Sequence, residues 1–196
     1  MDRLLPLHDG APDLSYEVDI EIMELAHALR ATTEVISERV PYLTRYRSVR
    51  LGCDASISIG LVWEAGSWDS NRSVPPQLFT RLLNQPSVRL FSLQQGPARK
   101  AAATIPARDI GAPDLVRLAT TMLSLDLIIT VDTMAAHLAG ALGAPVWTLL
   151  HANCDWRWSR TSRSIWYPSM KLFHQTKPDD WSNVIGEIAD ELTRLR

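Results

Sequence analysis

The sequence predicts an α/β protein built on a parallel sheet, and three observations carry that prediction. Short, almost wholly apolar runs recur along the chain, as strands covered on both faces require. Segments of helical periodicity alternate with them, which calls for right-handed crossovers between parallel neighbours. The 196 residues are 46% hydrophobic and 21% charged, enough apolar material for a full core and too little charge for general disorder.

The elements follow in order. Residues 1–15, rich in Pro, Gly and Asp, read as a poorly tied-down start. Ile20, Ile22, Met23, Leu25, Ala26 and Leu29 have the spacing of one helix, and a polar stretch follows. Pro41-Tyr42-Leu43 breaks the pattern, and Arg45, Arg47 and Arg50 form a basic connector, so the boundary is expected near residue 50. Residues 1–50 are then a lead-in segment with one helix, and 51–196 a single domain. Its first strand is 57–63. Pro75-Pro76 opens a helix carrying Leu78, Phe79, Leu82 and Leu83, with proline at tolerated first-turn positions. A second strand spans 88–93. Asp114 caps a helix through Leu115, Leu118, Met122 and Leu123. A third strand is 127–131, a helix runs over 134–142 with Gly143 as its C-cap glycine, and a fourth strand is 145–150. A last helix starts near Asp179-Asp180. The alternation predicts a Rossmann-like parallel sheet with helices on both faces.

The informative junction is Leu127-Ile-Ile-Thr-Val-Asp132-Thr133-Met134-Ala-Ala-His137. A buried strand ends in Asp-Thr and passes directly into a helix of small residues. Ligands of doubly wound sheets bind outside such strand ends, and a helix N-terminus offers amides and a positive dipole end to phosphate. Thr133 adds a hydroxyl, and His137 shares its helix face one turn deeper. The plainer reading stands beside this one: Asp132 as an N-cap and His137 as a half-buried helix histidine.

Charge and cysteines narrow the classes. Twenty basic residues against 22 acidic ones give a formal charge of −2, which argues against nucleic-acid binding by bulk charge. No apolar run is long enough for a transmembrane helix, and the first residues lack a signal-peptide core, so a cytoplasmic protein is expected. Cys53 and Cys154 lie too far apart in the chain to indicate a metal site, and no metal is expected.

The run Asp132-Thr133-x-x-x-His137-x-x-Gly140-x-x-Gly143-x-Pro145-Val146 resembles the C-terminal domain of glycosyltransferase family 9, which includes the ADP-heptose:lipopolysaccharide heptosyltransferases. It is most similar to variants at the end of bacterial tetratricopeptide-repeat proteins. Further segments agree in family order: Gly60-Leu61-Val62-Trp63, Asn71-Arg72-Ser73, Ser92-Leu93-Gln94-x-Gly96-Pro97, Asp155-Trp156-Arg157-Trp158, Trp166-Tyr167-Pro168 through Gln175, and Asp180-Trp181. The resemblance covers about residues 56–196.

It implies the C-terminal, donor half of a GT-B architecture, with a nucleotide-diphosphate sugar as substrate, no cofactor and metal-independent transfer. Arg72 matches the basic residue near the diphosphate, with an ordinary loop arginine as its alternative. Gln94, Asp132, Thr133, Met134 and His137 complete the expected donor site; Gln94 has loop bracing as its alternative. Asp155 and Trp156 either line the cleft or pack an irregular loop. The family's catalytic aspartate lies in the N-terminal, acceptor domain, and none of Asp9, Asp13 and Asp19 ends a readable strand. The catalytic residue is therefore unassigned. The expected acceptor side comes from a partner protein or a second subunit covering the inter-domain face. A non-catalytic sugar-nucleotide-binding or assembly module is the competing expectation.

Overall fold

The computed structural model describes residues 20, 24–43, 50–51, 56–67, 69–84, 87–158 and 160–195. The chain divides into two units, Met1–Thr32 and Thr33–Arg196. The described part of the first contains α1 (Leu25–Ala28), closed by Leu29 N–H donating to the Leu25 carbonyl at 2.9 Å. The expected helix over 20–30 is thus described only as this single turn. Residues 21–23, Cys53, Asp9, Asp13 and Asp19 lie outside the described residues.

The second unit begins with α2 (Thr33–Glu38), inside the stretch that the sequence marks only as polar. It continues through β1 (Ile57–Val62), β2 (Val88–Ser92), β3 (Ala107–Asp109), α3 (Leu115–Leu123), β4 (Leu127–Val131), α4 (Met134–Ala141), β5 (Val146–Leu150), β6 (Met170–His174) and α5 (Trp181–Arg194). The six strands form one sheet in the order β3-β2-β1-β4-β5-β6, every neighbouring pair parallel. The order reverses between β1 and β4, so that pair is the switch point.

Alternation along the strands sorts the core into two layers. On one face Ile59, Leu61, Leu127, Ile129, Val131 and Leu149 pack with Phe79 and Leu82 and with Val184, Ile185 and Ile188 of α5. On the other, Ile128, Val146, Leu150, Met170 and Leu172 pack with Leu118 and Met122 of α3 and with Ala136 and Ala139 of α4. Both faces are covered by helical elements, as expected.

The segment over Pro76–Asn84 winds as a 3-10 helix rather than an α-helix. Its buried Phe79 and Leu82 are three residues apart, a spacing that stacks on one face at three residues per turn. Strands β3 and β6 are edge strands that the apolar-run criterion passes over. A bridge from Arg163 to Lys171 runs antiparallel along β6 and covers its free side.

Capping fixes the helices that frame the site. The Asp114 carboxylate accepts from Arg117 N–H at 2.9 Å and the Asp180 carboxylate from Ser182 N–H at 3.1 Å. Helix α4 ends in Gly143, whose φ of 69° suits a residue without a Cβ. Gly143 N–H reaches the Gly140 carbonyl at 2.9 Å and Ala144 N–H the Ala139 carbonyl at 3.0 Å, the paired bonds of a Schellman end. Among the described residues, no helix is long and apolar enough to cross a membrane.

Candidate functional site

A cleft of about 570 Å³ opens at the carboxyl ends of β1, β2 and β4. Arg72, Gln94, Thr133 and Met134 line it, together with Glu64, Gly96 and Pro97. The volume suits a nucleotide-sized ligand, and its position at the switch point is where open α/β sheets bind ligands.

Thr133 is the N-cap of α4: its Oγ1 accepts from Ala135 N–H at 3.2 Å. This role falls to Thr133 and not to Asp132, the N-cap of the plainer reading. Thr133 Oγ1 also stands 3.5 Å from Thr130 Oγ1, a long contact beside the 2.9 Å bond that Thr130 donates to the Val131 carbonyl. Met134, at the first helical position, is half exposed at the mouth.

Arg72 ends a short 3-10 turn, Ser70–Arg72, capped by the Asp69 carboxylate accepting from Asn71 N–H at 3.1 Å. The guanidinium is buried. Its Nη1 donates to the Asp132 carbonyl at 2.9 Å and lies 3.9 Å from the Asp132 carboxylate, while Nε lies 3.9 Å from Asp69. Two carboxylates and a carbonyl therefore aim a cation, carried after β1, at the junction after β4. An ordinary solvated loop arginine has no such set of partners.

Gln94 is buried at the end of β2. Its Oε1 accepts from Trp63 N–H at 2.9 Å and Glu64 N–H at 3.0 Å, and its Nε2 donates to the carbonyls of Glu64 and Gln95 at 3.2 and 3.1 Å. The side-chain amide is thus committed to four backbone groups, the bracing alternative, while the residue still forms cleft wall.

His137 is not among the residues that line the cleft. Its ring stacks on Trp158 at 5.1 Å between centroids, and Nδ1 is 3.1 Å from the Tyr167 hydroxyl. Burial of the ring pushes its pKa down, opposed by the charge of Asp132; Arg157 pushes it down further and Asp155 opposes. The imidazole is consequently held neutral near pH 7, which removes it as a phosphate-binding cation. Burial and the Tyr42 hydroxyl together push the Tyr167 pKa up. The Tyr42 and Leu43 amides both donate to the Ala141 carbonyl, at 3.1 and 3.2 Å, so residues 40–43 dock on the end of α4.

Asp155 and Trp156 belong to this flank. Asp155 is exposed, and the Arg157 backbone amide, then the Arg157 guanidinium, lower its pKa. The Arg157 guanidinium also sits 5.0 Å from the Trp156 ring, and Trp156 is 76% exposed. A tryptophan so open does not pack the loop. The Cys154 thiol, 3.9 Å from His174 Nδ1, has its pKa raised by burial and is not activated.

The expected residues thus fall into two groups joined by Asp132: Arg72, Gln94, Thr133 and Met134 at the cleft, and His137, Asp155 and Trp156 beside it. Sequence reasoning missed Glu64, the exposed carboxylate that lines the cleft. Its place one residue beyond Trp63, just past β1, was the available signal.

No family model matches the chain. Protein FlbA of Caulobacter vibrioides is 27% identical over 147 residues, 68% of this chain and 24% of FlbA. ADP-heptose LPS heptosyltransferase II of E. coli superposes with a TM-score of 0.56 at 14% identity, covering 95% of this chain and 55% of that one. The chain spans about a quarter of the curated relative and just over half of the solved structure. At that identity the likeness is one of fold: an α/β unit with an all-parallel six-stranded sheet that matches part of a GT-B heptosyltransferase.

Proposed function

We propose that this chain binds a nucleoside-diphosphate sugar and supports glycosyl transfer, with residues 51–196 as the donor-binding domain and 1–50 as its lead-in. The observation that carries this reading is the convergence of the Arg72 guanidinium and the N-terminus of α4 on one cleft at the switch point. Departure of a nucleoside diphosphate leaves growing negative charge on the phosphates. A fixed guanidinium, a helix N-terminus and the Thr133 hydroxyl stabilise that charge without reorganising during the reaction. Met134 and Gln94 shape the walls, and Asp132 holds Arg72 in place. The acceptor side belongs to a partner protein or a second subunit placed against the flank of His137, Asp155 and Trp156.

Calorimetric titration with ADP, UDP and GDP tests the reading. Thr133→Val should weaken binding by about tenfold, through loss of one hydroxyl contact, while Thr133→Ser keeps cap and affinity. Arg72→Ala should cost more, and the loss should shrink as salt rises. Absence of binding at about 1 mM nucleotide, a level that detects even contacts worth about 4 kcal/mol, overturns the reading. So does binding indifferent to both residues.

A second reading is a non-catalytic sugar-nucleotide-binding or assembly module. Gln94 and His137 favour it, because their observed hydrogen bonds serve the fold. Release of nucleoside diphosphate from a bound sugar nucleotide distinguishes the two readings.

A further inference from the structure

We propose that Glu64 makes the cleft select a glycosylated diphosphate over the free diphosphate, by holding an unmatched negative charge beside the phosphate site. The proposal rests on the nucleotide-sugar reading above and names a specificity residue for it. Side chains alternate along β1 and just beyond its end: Ile59, Leu61 and Trp63 enter one layer of the core, and Val62 turns to the other. Glu64 follows Val62 by two residues, and both line the cleft. The backbone here is pinned. The Trp63 and Glu64 amides donate to Gln94 Oε1 at 2.9 and 3.0 Å, the Glu64 carbonyl accepts from Gln94 Nε2 at 3.2 Å, and Ala65 N–H donates to Ser73 Oγ at 3.1 Å. With its amide and carbonyl so engaged, Glu64 presents its side chain to the cleft. The carboxylate has no partner among the described residues.

The charges around the cleft set what this carboxylate does. Among the described residues of the lining, Arg72 and Glu64 are the two that carry charge. Arg72 already faces Asp69 and Asp132, each at 3.9 Å. Arg72 and the start of α4 can hold an anion, but every further negative charge on that anion meets Glu64 uncompensated. A cleft of about 570 Å³ is about 10 Å across, close to one Debye length at physiological salt, so Glu64 acts on any phosphate within it. At about 10 Å and an effective dielectric of about 25–50, one unit of charge changes affinity by about three- to tenfold. In a nucleoside-diphosphate sugar both phosphates are esterified, and each keeps a single acidic oxygen. The free diphosphate ends instead in a phosphate of about −1.5 to −2 charge at pH 7. A sugar in place of that charge also brings hydroxyl donors, which a carboxylate accepts. Both effects favour the glycosylated ligand.

The test is calorimetric titration of the full chain with three matched pairs: ADP and ADP-glucose, UDP and UDP-glucose, GDP and GDP-mannose. For the pair that binds, the chain should prefer the sugar-bearing member. Glu64→Gln keeps size and hydrogen bonding but removes the charge. It should tighten the free diphosphate by about three- to tenfold and change the sugar-bearing member by less than about twofold. The gain should shrink as salt rises, which a purely structural effect would not do. Asp190→Asn removes one negative charge from an exposed position on α5, in the helix on the opposite face of the sheet, and should leave both affinities unchanged. Equal effects of Glu64→Gln on both members of a pair, a gain insensitive to salt, or the same gain from Asp190→Asn overturn the proposal and leave the nucleotide reading standing. Silence of all six ligands with both the wild-type chain and Glu64→Gln sinks that reading, and the proposal with it.

Discussion

The Tyr167 ring lies directly against Gly140: a Cβ added to that glycine would stand 2.4 Å from Cγ and 2.6 and 2.7 Å from the two Cδ atoms. Gly140→Ala therefore pits a helix-propensity gain of about 1 kcal/mol against displacement of a ring, which costs about 1–3 kcal/mol. The expected net is destabilisation in urea titrations, with a shift of the His137 imidazole signals because Tyr167 is its hydrogen-bond partner. Gly186, in α5, has nothing within 4 Å of the same added atom. Gly186→Ala should stabilise by about 0.5–1 kcal/mol.

Gln94 separates bracing from ligand binding. Gln94→Glu retains the acceptor for Trp63 and Glu64 N–H but turns a second carboxylate oxygen on the Glu64 and Gln95 carbonyls. The carboxyl is then stable only when protonated, so its pKa in the folded protein rises above that in the unfolded chain. Such a group contributes stability below its unfolded pKa and loses it as pH rises. Denaturation midpoints for this variant should fall from pH 5 to pH 8 relative to wild type. A flat difference between them would return Gln94 to a ligand role.

His137 gives the opposite sign. Its pKa is lowered in the fold from 6.5, chiefly by burial. The unfolded chain consequently binds the proton first as pH falls, and stability declines below pH 6.5. His137→Asn keeps a polar atom for Tyr167 and removes the titration, so its melting temperature should depend less on pH across that window. An identical slope in the two proteins refutes the assignment.

Trp156→Ala should leave the melting temperature nearly unchanged, within about 0.5 kcal/mol, because the residue is 76% exposed. Any loss of ligand or partner binding then reports contact and not folding. A large thermal destabilisation would mean that the loop does depend on its packing.

The sequence made the inner sheet readable because β1, β4 and β5 are buried on both faces and appear as almost wholly apolar runs, broken only by the small hydroxyl residues Ser58, Thr130 and Thr148. β3 is three residues long, Ala-Arg-Asp, and β6 interrupts its apolar residues with Lys171; edge strands carry no such run. The site was legible as a place more than as a set of roles. Asp132 and Thr133 end a strand and begin a helix, which fixes their position. The direction taken by the amide of Gln94 or the ring of His137 depends on Trp63, Glu64, Trp158 and Tyr167, partners that become neighbours only in three dimensions. Arg72 is intermediate: its charge is readable, its grip on Asp132 is not.

The pairing of β1 with β4 has a kinetic consequence. Ser58 N–H donates to the Asp126 carboxylate, 68 residues later, and Arg72 reaches Asp132 across 60 residues. Closing loops of that length is slow, and parallel pairings contribute high contact order. The two walls of the cleft therefore meet only when the central strands have already joined, late in folding. No early helical fragment can carry the site, and ligand affinity should return together with the last kinetic phase of refolding.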